Sequence, residues 1–246
     1  MTTRKFIPHL IIAILCLALI NCSFNISTKP CNDKTLKKEV RTLDKFTGID
    51  LSIAANIQLT QGTPQKFEIE GPACDLENTV TKVNGSVLTI ENDHNITWGK
   101  RDKVTIYITV ENIDKLSVAG SGDILAKNSL TTNDLRLDIA GSGSINIPDL
   151  KATTLKSSIA GSGSIEISGK DKAEKHKIHI AGSGDVKAKD FQTSQVEVSI
   201  AGSGSCYLNI IDRLKADIAG SGDIYYMGRP VIESSLAGSG KIKSLE

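Results

Sequence analysis

Seven copies of one four-residue word, Ala-Gly-Ser-Gly, recur along the second half of this chain and restrict what it can fold into. They begin at Ala119, Ala140, Ala160, Ala181, Ala201, Ala219 and Ala237, at intervals of 21, 20, 21, 20, 18 and 18 residues. Self-similarity at a fixed period near 20 marks a solenoid, in which each repeat forms one coil and buries its apolar side against its neighbours.

The flanks of the word supply the rest of the coil. An alternating run precedes it, as in Leu135, Leu137 and Ile139 or Val196, Val198 and Ile200, and a shorter one follows, as in Ile145 and Ile147. The residue just before each Ala is Val118, Ile139, Ile159, Ile180, Ile200, Ile218 or Leu236. Apolar and mostly β-branched side chains at one point of every coil predict a continuous internal stack. Gly-Ser-Gly is then the corner: its glycines reach backbone conformations closed to other residues and keep the corner thin enough to stack at about 4.8 Å. Seven coils at that spacing extend roughly 30–35 Å. The stretches 148–154 and 168–177 vary in length, as insertions on one side of a solenoid do.

Residues 41–118 lack the word but keep the alternation, in Ile49, Leu51 and Ile53, in Ile57 and Leu59, and in Val104, Ile106, Ile108 and Val110. Asn84-Gly85 marks a tight turn between two such runs. The expected fold is all-β: one single-domain parallel β-helix with coils of about 20 residues. Its coils are irregular over 41–118 and regular over 119–246, in one continuous domain.

The first residues belong to export. Arg4 and Lys5 precede an apolar run from Ile7 to Ile20, interrupted by His9 and too short for a typical membrane span. The run ends in Leu19-Ile20-Asn21-Cys22, which resembles a bacterial lipobox despite Asn21 in place of a small residue. Residues 1–21 therefore read as a lipoprotein-type export signal, with Cys22 lipidated. Ordinary cleavage to a soluble protein and an uncleaved anchor are the alternatives. Residues 22–40, polar and with Pro30, read as a tether, with a weak helical pattern near Leu36 to Leu43. In an oxidising compartment Cys31 and Cys74 are candidates for a disulfide joining this tail to the first coil, and Cys206 for a small apolar core residue.

Composition narrows the partners. With 29 basic and 28 acidic side chains the net charge is +1, so no strong field favours nucleic acid. The position after the word holds Asp123, Ser144, Ser164, Asp185, Ser205, Asp223 and Lys241. In stacked coils these form a ladder of hydroxyls and spaced carboxylates, which either binds a glycan or cation or bonds only to itself and the corners. The word serines, Ser121 through Ser239, form a second file. Calcium-binding nonapeptide repeats and a Walker loop do not match this spacing. His176 and His179, three apart on a strand, point to opposite faces and make a poor metal pair. His94 and Trp98 share a polar loop, residues 93–102, that either contacts a ligand or caps the helix. No pair of acids stands out for glycoside chemistry, and no cofactor or metal is expected. Lys241 and Lys243 on the last coil are expected to oppose end-to-end stacking, a dimer joined there being the rival.

Several of these residues together resemble a known family. Arg41, Phe46, Gly48 and Ile49, then Gln61-Gly62, Asn84-Gly85 with Leu88 and Ile90, Val104 with Ile106 and Ile108, and Leu116-x-Val118-x-Gly120-Ser121-Gly122 are similar to the bacterial head GIN domain family. Its members are described as autotransporter-adhesin heads, commonly exported or lipid-anchored. The resemblance runs from about Arg41 to the C-terminus. It implies a β-helical envelope protein and carries over no catalytic residues. The expectation is a non-catalytic, surface-binding lipoprotein of the envelope, in the outer membrane or else soluble and exported, whose partner is a glycan, an envelope polymer or a protein. A polysaccharide-acting β-helix enzyme and a spacer without ligand are the alternatives.

Overall fold

The computed structural model describes residues 35–93 and 104–245. The export signal, most of the tether, and the loop carrying His94 and Trp98 lie outside them. The described chain forms a parallel β-solenoid of about six turns with coils of about 20 residues. Its strands are β1 (Leu36–Val40), β2 (Gly48–Leu51), β3 (Ala55–Gln61), β4 (Lys66–Pro72), β5 (Thr79–Asn84), β6 (Val87–Asn92) and β7 (Val104–Val110), with one short helix, α1 (Ala73–Glu77), after β4. The repeat region adds β8 (Lys115–Gly120), β9 (Asp123–Ala126), β10 (Leu130–Gly141), β11 (Ser144–Ile147), β12 (Leu150–Gly161) and β13 (Ser164–Ser168). It closes with β14 (Ala173–Gly182), β15 (Asp185–Gly202), β16 (Ser205–Gly220), β17 (Asp223–Met227), β18 (Val231–Gly238) and β19 (Ile242–Ser244).

Each word separates two faces. The strand before it lies on a first face, stacked β6, β2, β8, β10, β12, β14, β15, β16, β18. The strand after it lies on a second face, stacked β7, β3, β9, β11, β13, β15, β16, β17, β19. The long β15 and β16 contribute to both. Val118, Ile139, Ile159, Ile180, Ile200 and Ile218 register on one another and are buried. The seventh member of the expected stack departs: Leu236 is 49% exposed, because among the described residues β18 is covered by β16 on one side only.

The corner works by close approach. Gly141 sits at φ +134°, and a Cβ there would overlap the Gly120 carbonyl oxygen. A Cβ at Gly163 would lie 2.5 Å from Ile139 Cγ2 and 2.6 Å from the Gly143 carbonyl oxygen. The word serines are exposed, and their backbone N–H groups do the stitching: Ser142 donates to the Gly120 carbonyl and Ser162 to the Gly141 carbonyl, both at 2.8 Å.

The first half differs from expectation in two ways. Coil order is not chain order: β2 and β3 lie between the β6–β7 coil and the β8–β9 coil. Residues 36–40, read as tether or weak helix, are strand β1, which pairs antiparallel with β4 as β4 does with β7. These strands, with the β5–β6 hairpin and α1, close that end of the solenoid. Arg41 holds the closure, its guanidinium donating to the carbonyls of Thr79 at 2.6 Å and Leu76 at 2.8 Å. Gln61 bridges coils: its Nε2 donates to the Glu111 and Thr131 carbonyls, and its Oε1 accepts from the Thr131 N–H.

Candidate functional site

The ladder residues align across the second face: Asp123 with Ser144, Ser144 with Ser164, then Asp185, Ser205 and Asp223 in turn. All six are half-buried. Ser144 Oγ donates to Asp123 Oδ1 at 2.7 Å. Asp185 Oδ1 accepts the Ser205 N–H at 3.0 Å, and Asp223 Oδ1 the Lys241 N–H at 2.9 Å. Each carboxylate thus bonds to the next coil. Asp223 also accepts from the Tyr225 hydroxyl at 2.9 Å, which holds its carboxyl below the ordinary range and pushes the Tyr225 hydroxyl up.

Two residues along each strand runs a second outward row: Gln58, Leu125, Asn146, Glu166, Lys187, Tyr207, Tyr225 and Lys243. Toward the C-terminal end it becomes aromatic. The Tyr207 and Tyr225 rings stack with centroids 5.0 Å apart and planes 10° apart, and Lys243 Nζ lies 5.4 Å from the Tyr225 centroid.

Beside Tyr207 the row opens into a groove of about 390 Å³, lined by Glu166, Ile167, Ser168, Asp185, Lys187, Lys189, Asp190 and Tyr207. Its origin is a slip in register. Glu166 pairs with Lys187 but Ser168 pairs with Asp190, so β15 carries an extra residue, and Phe191 turns inward to full burial. Among the described residues, the side chains of Glu166, Lys187, Lys189 and Asp190 enter no ion pair or hydrogen bond. Three carboxylates, two ammonium groups and one aromatic ring therefore meet at a concave spot. Of these, only Asp185 belongs to the ladder that the repeat predicts; the bulge that gathers the others has no simple sequence signal.

The remaining candidates fall elsewhere. Cys22 and Cys31 lie outside the described residues; Cys74, in α1, is disulfide-bonded. Cys206 is free and buried, and burial pushes its thiol pKa up. His176 is fully buried and shares a 2.8 Å hydrogen bond between Nε2 and Ser157 Oγ, whereas His179 is half-buried on the outer side. Among the described residues, no group of three or more His, Cys, Asp or Glu side chains is placed to hold a metal ion. No helix of the described residues is long and apolar enough to cross a membrane.

A family model described as "putative auto-transporter adhesin, head GIN domain" matches residues 45–230. The chain belongs to the head GIN domain family. Among solved structures it is similar to a putative adhesin from Bacteroides fragilis NCTC 9343, with 29% identity and a TM-score of 0.80 over 86% of this chain and 98% of that one. A putative adhesin from Parabacteroides distasonis ATCC 8503 shares the fold at 20% identity and TM-score 0.71, covering 87% of this chain and 98% of that one. So does a putative lipid binding protein from the same strain, at 24% identity and TM-score 0.73, covering 86% and 97%. No curated protein matches the chain. The family and two of these neighbours are thus named as putative adhesins and the third as a putative lipid binding protein, and the family points to an exported surface protein.

Proposed function

We propose that this head GIN domain protein is a non-catalytic, adhesin-like lipoprotein of the bacterial outer membrane whose second face binds a glycan or glycan-like envelope polymer. The groove beside Tyr207 is the observation that carries this reading. A tyrosine ring offers a flat apolar face to the C–H face of a pyranose, while free carboxylates and ammonium groups bond to its hydroxyls. The lining acids Glu166, Asp185 and Asp190 nearly balance Lys187 and Lys189, which suits a neutral saccharide better than a polyanion. The ladder beside the groove repeats at the strand spacing of about 4.8 Å, close to one sugar unit of an extended chain. The lipid anchor is Cys22, and Cys31 is the partner of Cys74.

A broad glycan array probed with the exported protein tests the binding. The expected result is a neutral oligosaccharide binder that Tyr207→Ala weakens roughly tenfold or more. An array without a binder sinks the glycan reading and leaves a spacer. Shortened saccharides in the binding mixture establish the enzyme instead.

A further inference from the structure

We propose that the open end of the solenoid is a homodimer interface, in which β18 pairs antiparallel with β18 of a second copy about a two-fold axis through Ser234. The two ends of the molecule are built differently. Among the described residues, the far end finishes in β5 and in β1, a five-residue strand in which Lys37, Lys38 and Glu39 stand between the exposed Leu36 and Val40, a short charged edge of the kind that resists pairing. The near end finishes in β18, eight residues long and exposed throughout, which pairs with β16 on one side only among the described residues. Val231 is 65% exposed, Ile232 37% and Leu236 49%. Ile232 and Leu236 continue the columns of Leu214 and Ile218, both buried. They are core positions waiting for a coil.

Two of the charges at this edge are held by the coil below. Glu233, the one charged residue of β18, pairs with Arg213 of the coil below at 3.6 Å. Lys243 lies over the Tyr225 ring, also on the coil below. β18 itself carries no lysine; Lys241 and Lys243 lie beside it in the chain.

The strand is complementary to itself. With the axis at Ser234, Ile232 lies opposite the partner's Leu236, Ser234 opposite the partner's Ser234, and Glu233 opposite the partner's Ser235. Inward side chains stay inward, so the core columns run from one copy into the other, and no like charges face each other directly. Moving the axis one residue toward Glu233 sets the two Glu233 carboxylates opposite each other; moving it one residue the other way sets Leu236 against the partner's Ser234. The pairing is isologous and closes at two copies instead of growing a filament.

The test uses the full chain exported by its own signal. Wild type is expected to sediment at twice the chain mass and Leu236→Lys at the chain mass, with far-UV circular dichroism unchanged. Ser234→Cys is expected to link copies by a disulfide on a non-reducing gel. Ser235→Cys is not, because its own copy lies two positions along the partner strand, beyond the roughly 7 Å that a disulfide spans. A monomeric wild type, larger polymers, a dimer indifferent to Leu236→Lys, or a folded Ser234→Cys protein that stays unlinked each overturns the proposal.

Discussion

His176 is a titratable side chain where the coil pattern calls for an aliphatic one. It stands in a column between Leu155 and Val196, while Ser157 stands in the next column between Leu137 and Ile178. The two polar residues meet across adjacent coils, which satisfies Nε2, while Nδ1 has no hydrogen-bond partner among the described residues. Burial lowers the His176 pKa from 6.5 to about 4. The unfolded chain therefore takes up the proton first as pH falls. The stability that the neutral imidazole allows is full above pH 6.5 and is lost progressively down to about pH 4, a loss of about 3 kcal/mol. His179, whose pKa is lowered by burial and then by Lys177 and Lys156, adds to the loss with the same sign. Thermal melts between pH 7 and 4 should show a falling midpoint, much flattened in the double variant Ser157→Ala/His176→Leu. A wild-type midpoint that stays level through that window would refute this account.

Within the coil, the corner is the element that tolerates least. Gly163 passes so close to Ile139 and Gly143 of the previous coil that one added methyl must push backbone against backbone. Gly163→Ala is expected to cost about 3 kcal/mol in urea unfolding. Its neighbour Ser162 is exposed and contributes through its backbone N–H, so Ser162→Ala should stay within about 0.5 kcal/mol of wild type. Equal effects at the two sites would show that the corner is looser than its geometry. The ladder acts at the same scale, since each of its three carboxylates joins one coil to the next.

For the molecule as a whole, the ends matter because a solenoid makes contacts only between neighbouring coils. One end is closed by antiparallel strands and the Arg41 clamp; the other presents β18. Under the proposed anchoring at Cys22 the chain enters at the closed end, so the open end faces away from the membrane. A dimer through the open ends then sets the two anchors at opposite extremities, the geometry of a contact between two facing surfaces. Mass spectrometry of the mature protein reads the N-terminal part of this picture. It should find a diacylglyceryl group on Cys22, absent in Cys22→Ala, and a linked Cys31–Cys74 peptide. An unmodified N-terminus at another residue would replace the lipoprotein with a soluble exported protein.

How much of this was legible in the residues follows from what a period encodes. The seven words mark equivalent points on successive coils, so their spacing yields the solenoid, the Val118-to-Ile218 column, the corner and the aligned ladder directly. Alternation alone says which side of a strand faces the core but not which strand lies beside it. That is why residues 41–118, lacking the word, conceal the insertion of β2 and β3 between later strands, and why β1, polar and charged, reads as a tether in the sequence. Leu236 shares the pattern of its six counterparts, yet burial needs a covering coil, and the pattern does not count coils. The groove at Tyr207 and the His176–Ser157 pair depend on distances across coils, set by a register slip in β15 in one case and by neighbouring columns in the other. Local pattern was enough for the shape of a coil; the neighbours of each coil, and so every site on its surface, came from how the coils stack.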